Sequence, residues 1–164
     1  MLKEPFDITR EVEEYLLKFI SWQIEFTPTN NYLQFARATS SAEDVFKYAA
    51  ILYPKFINIE GVVILEDHYT KKNWEQWRQT HSPLEAARVV NHVHIEDFLP
   101  NNPQMGTELE KGFGELLTFF WQMAVDVQFP KEKIEVEFDG AVIDIVQESI
   151  ISQTPANKSL HTKA

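Results

Sequence analysis

The chain has 164 residues, 44% of them hydrophobic and 13% aromatic, which suits one domain with a filled core and not a disordered or fibrous chain. With no cysteine, disulfides, iron–sulfur clusters, thiolate zinc sites and cysteine nucleophiles are excluded, in keeping with a reducing compartment. Net charge is −10 and uneven, residues 101–150 holding three basic and ten acidic groups, a field that repels nucleic acid and anionic lipid.

The first residues, Met1-Leu2-Lys3-Glu4-Pro5, do not read as a signal peptide. No apolar run approaches the ~18 residues of a membrane span. The expectation is a cytoplasmic protein that binds neither nucleic acid nor membrane, with a single globular domain over 1–151 and a polar, loose tail over 152–164.

Asp7 is placed to cap a helix running to about Phe26. Val12, Tyr15, Leu16, Phe19, Trp22 and Phe26 recur at spacings of three and four, which marks one buried face. Residues 32–38 fit no single pattern. Ser40 with Glu43 forms a capping box, and Val45, Phe46, Ala49, Ala50 and Tyr53 follow as an apolar stripe expected to be buried.

The stretch from about 56 to 69 reads as a strand. Both faces are apolar around Val62–Leu65, which predicts cover on both sides. Gly61 reads as a bulge or a close backbone approach. Thr70 caps a short helix carrying Trp74 and Trp77. Ser82-Pro83-Leu84-Glu85 opens another, with Ser at the cap, Pro first and Glu third. Residues 89–96 alternate like a strand, yet no turn residue separates them from that helix. A long helix is expected over about 107–127.

The clearest hairpin lies at about 134–147. Asp139-Gly140 favours a two-residue turn. In that register Phe138 faces Ala141, Val136 faces Ile143 and Ile134 faces Ile145. The whole reads as α+β: a small antiparallel sheet, made of the 56–69 strand and the 134–147 hairpin, packed against several helices.

Three groups of residues are candidates for chemistry. If 89–96 is a strand, His92, His94 and Glu96 share a face. Two imidazoles and a carboxylate suit one divalent metal, zinc or iron. His68, at the end of the 56–69 strand with Glu66, is a further ligand if the strands are neighbours, and Asp97 a further ligand or general base. In a helix His92 and His94 would sit about 200° apart. The H-x-H start resembles the opening of the metallo-β-lactamase motif. Glu96 and Asp97 replace that motif's Asp and final His, so no activity is carried over.

The second group is the acidic face of the hairpin: Glu135 opposite Asp144, with Glu137 and Asp139 nearby. Opposed like charges cost stability unless a cation or a basic partner lies between them. The third is Trp74 with Trp77, read as core or as the wall of a ligand pocket.

No phosphate-binding glycine loop, G-x-S-x-G elbow or H-E-x-x-H motif occurs, as three common enzyme classes would require. The preferred reading is a non-catalytic acidic binding or assembly protein with a basic partner, no cofactor, and a homo-oligomer as one possible form. The alternative is a metal-dependent hydrolase or oxygenase.

Overall fold

Residues 17–26, 32–98 and 107–147 are described in the computed structural model of the protein. The Asp7 cap, the first half of the first predicted helix and the predicted tail lie outside them. In chain order the elements are α1 (Leu17–Phe26), α2 (Tyr32–Thr39), α3 (Ala42–Leu52), β1 (Phe56–Ile59), β2 (Val62–Leu65), α4 (Lys71–Arg78), α5 (Pro83–Val90), β3 (Val93–His94), α6 (Thr107–Gln128), β4 (Ile134–Phe138) and β5 (Val142–Gln147). Single 3-10 turns follow β2 (Glu66–His68) and β3 (Ile95–Asp97). The fold is α+β. Its strands form two small antiparallel sheets, β1–β2 and β3–β5–β4.

The 56–69 stretch is a hairpin and not one long strand. Glu60 and Gly61 both take positive φ, 55° and 85°, the requirement of a tight hairpin turn. Gly61 meets it freely. Glu60 is held in place by its side chain, which accepts from Arg78 Nε at 2.9 Å and Trp74 Nε1 at 3.2 Å.

Both faces of β2 are covered, as its composition predicted. Val63 and Leu65 join a core with Trp121 and Leu117 of α6, Val136 of β4 and Ile143 of β5. Val62 and Ile64 join a second cluster with Trp74 of α4 and Ala86, Ala87 and Val90 of α5. α6 packs its Leu117, Trp121, Ala124 and Val125 side on the first cluster.

Two caps match the sequence: the Thr70 hydroxyl accepts from Asn73 N–H, and Ser82 with Glu85 forms a full capping box behind Pro83. One is shifted by a residue. The box on α3 is Ser41 with Asp44, not Ser40 with Glu43. Both frames carry a hydroxyl and an acid three apart. The Ser40 N–H is engaged by the Ala36 carbonyl at 2.9 Å, closing α2 and leaving Ser41 to start α3.

The apolar stripe on α3 also departs from expectation. None of that helix's residues is buried. Only Ile51 and Leu52 at its end pack on the core, helped by the bond from Trp121 Nε1 to the Ile51 carbonyl at 2.8 Å.

The 134–147 hairpin has the predicted faces but a different register. Phe138 pairs with Ile143, Val136 with Ile145 and Ile134 with Gln147. The turn is centred on Gly140 and Ala141, one residue later than expected. The Asp139 carboxylate accepts from Ala141 N–H and Val142 N–H, each at 2.9 Å, which fixes the turn there. A register moved by two residues keeps every side chain on its own face.

The sheets meet through side-chain amides. Val63 N–H donates to Gln147 Oε1 at 2.9 Å, Asn91 Nδ2 donates to the Val63 carbonyl at 2.8 Å, and Leu65 N–H donates to Asn91 Oδ1 at 2.9 Å. Gln122 of α6 does the same along β4, accepting from Val136 N–H and donating to the Ile134 carbonyl. Strand groups that would otherwise be buried unpaired are satisfied.

Candidate functional site

One face of the β3–β5–β4 sheet carries the apolar residues that meet α6. The other carries most of the chemically active side chains. The undecided 89–96 stretch resolves into a helix to Val90, the strand Val93–His94 and a 3-10 turn from Ile95. Val93 pairs with Ile143 and His94 with Val142. The same register continued by one residue sets His92 across from Asp144.

Glu137 pairs with Asp144 from the other side. His92, Asp144 and Glu137 therefore form a row across the three strands, at right angles to the chain. His92 Nδ1 lies 3.0 Å from Asp144 Oδ1, and the two side chains are 46% and 45% exposed. An exposed pair of this kind contributes under about 1 kcal/mol. Its effect is orientation: a carboxylate on Nδ1 fixes the ring and its tautomer. The His94 ring meets the His92 ring edge to face, with centroids 4.9 Å apart.

The Asp139 carboxyl is held below the usual aspartate range. The causes are the Ala141 N–H first, then the Val142 N–H, with the nearby His92 a smaller one. This acid is committed to the turn. The opposition predicted for Glu135 and Asp144 is corrected by the register: Glu135 stands across from Val146, and Glu137 takes its place.

The row borders a cleft of about 700 Å³ lined by Arg88, Val89, His92, Glu137, Asp144 and Val146. Arg88, Val89 and Val146 were not legible as site residues. Their place depends on how α5 lies on the sheet, which no local pattern encodes. A second cleft of about 680 Å³ lies among α1, α2 and α3, with Trp22, Phe35 and Tyr48 on its walls.

The four residues read as metal ligands are only partly brought together. His92 and His94 are neighbours on one face. Glu96 leaves that row because the chain turns into a 3-10 helix at Ile95. His68 Nδ1 is 3.0 Å from the Val90 carbonyl, and Glu66 is paired with Lys55 at 2.6 Å. Among the described residues no group of three or more His, Asp or Glu side chains is arranged to hold a metal ion.

Trp74 is 3% exposed and lies in the second core cluster, with Trp77 packed at its margin. The indole Nε1 of Trp74 donates to Glu60. This is the core reading of the tryptophan pair.

No helix among the described residues is long and apolar enough to cross a membrane. Comparison of the chain with protein families, curated proteins and solved structures finds no match.

Proposed function

We propose that this is a non-catalytic acidic binding or assembly protein, acting in the cytoplasm, that receives a basic partner on the open face of the β3–β5–β4 sheet. The observation that carries the reading is the direct opposition of Glu137 and Asp144 on that face. Two carboxylates facing each other repel, and a lysine or arginine placed between them removes the repulsion. Val89 and Val146 in the same cleft give the aliphatic stem of such a side chain an apolar wall.

The binding reading is favoured over a metal-dependent enzyme because His92, His94, Glu96 and His68 do not converge. The cleft lining also contains no hydroxyl side chain to act as a nucleophile.

The test is a titration with a lysine-rich peptide, using a glutamate-rich peptide as control. The lysine-rich peptide should bind, more weakly as salt is raised. The Glu137→Gln/Asp144→Asn variant should lose at least about fivefold in affinity, a loss near 1 kcal/mol. Equal binding by the variant, or no binding by the wild-type protein, removes the reading.

A further inference from the structure

The stripe on α3 that looked like core lies on the surface. Ala42, Val45, Phe46, Ala49, Ala50 and Tyr53 are all exposed, with Val45 at 59%, Phe46 at 76% and Tyr53 at 48%. The Tyr53 N–H still bonds the Ala49 carbonyl at 2.9 Å, so the helical turn carries through it. The other side of the helix is occupied: Asp44 and Tyr48 line the cleft shared with α1 and α2, and Ile51 and Leu52 pack on the core.

We propose that this outward face is a self-association surface on which α3 packs antiparallel against α3 of a second copy. The pattern of sizes along the stripe supports this occupant. About a two-fold axis passing between Lys47 and Tyr48, Phe46 faces Ala49 of the partner subunit, Val45 faces Ala50 of the partner subunit, and Tyr53 faces Ala42 of the partner subunit. Every large side chain meets an alanine, and the same holds in reverse. An isologous interface needs a single patch that complements itself, and this stripe does so at three pairs of positions.

Two electrostatic features agree. Antiparallel helices set each N-terminal end beside the partner's C-terminal end, the favourable dipole arrangement. At the margin, Glu43 and Lys47 are already paired at 2.8 Å, so the rim is not one-signed. The contact is short, about 18 Å of helix for twelve residues. That is small against the ~800 Å² per partner of a standard interface, and each copy carries a charge of −10. The dimer is therefore weak, and salt strengthens it by screening the repulsion between copies.

The experiment is sedimentation equilibrium on the full chain across micromolar concentrations, at low and high salt. A reversible monomer–dimer equilibrium that tightens with salt is expected. Phe46→Ala leaves a gap and Ala49→Phe sets two rings against each other, so each should weaken the dimer at least about tenfold. The double variant Phe46→Ala/Ala49→Phe restores large-against-small pairing about the same axis and should return to within about threefold of wild type. All three positions are exposed, and circular dichroism checks that the fold is kept. A wild-type protein that stays monomeric overturns the proposal. So does a dimer indifferent to the single changes, or one that the double change does not restore.

Discussion

Asn91 is 1% exposed and holds two strand groups of β2, the Leu65 N–H and the Val63 carbonyl. A buried polar group left without its partner costs about 1–3 kcal/mol. Asn91→Ala is therefore expected to destabilise the fold by ~2–4 kcal/mol in denaturant titration. Asn91→Asp keeps the acceptor and loses the donor to the Val63 carbonyl, so it too should be strongly destabilised at neutral pH. A loss below about 0.5 kcal/mol in both would show that the amide is not what joins the sheets. Gly114 is a second residue with a specific duty. A Cβ there would overlap the Phe138 ring, so Gly114→Ala should destabilise despite a helix-propensity gain of ~1 kcal/mol. Combined with Phe138→Ala, the same substitution should have a much smaller additional effect, a coupling that a double-mutant cycle reads directly.

At the scale of elements, the β4–β5 hairpin depends on one acid. Asp139 accepts two turn N–H groups, and these hold its carboxyl below the usual range. A lowered acid pKa means stabilisation that is complete above the unfolded value, about pH 4. It is lost as pH falls through the folded value. Asp139→Asn keeps an acceptor oxygen but cannot titrate. Amide exchange of Val142 should therefore accelerate below about pH 4 in the wild type and change less in the variant. Equal acceleration in both would place the acid sensitivity elsewhere. The hairpin also shows how a pattern can be right and its register different. Alternation of Ile134, Val136 and Phe138 assigns a face, and a shift of two residues leaves every face unchanged. The Asp139 hydrogen bonds decide between the two registers, and with that decision Glu137 replaces Glu135 opposite Asp144.

For the whole molecule, the two proposed surfaces respond to salt with opposite sign. A basic partner on the acidic sheet face is held by charge and weakens as salt rises. A second copy on α3 is held by apolar contact against mutual repulsion, and it tightens. Measuring both equilibria over one salt series separates the surfaces without further mutagenesis. A common sign would mean that one of the assigned driving forces is wrong.

Local features were legible from the residues alone where they are closed within a few positions. The Ser82–Glu85 box, the Thr70 cap, the span of α6, the apolar faces of β4 and β5 and the α+β class follow from short-range geometry and period. The double burial of Val62–Leu65 was legible too, because a strand apolar on both faces needs two covers. The tertiary structure alone decided what each face meets. The α3 stripe has the period of a buried helix, but period names a face and not its occupant, and this face is turned outward. The His92–Asp144–Glu137 row joins residues from three strands, and Arg88 reaches the same cleft from a helix that lies on the sheet. Such neighbours are set by strand order and helix placement, which depend on the packing of the whole core rather than on any segment's own sequence.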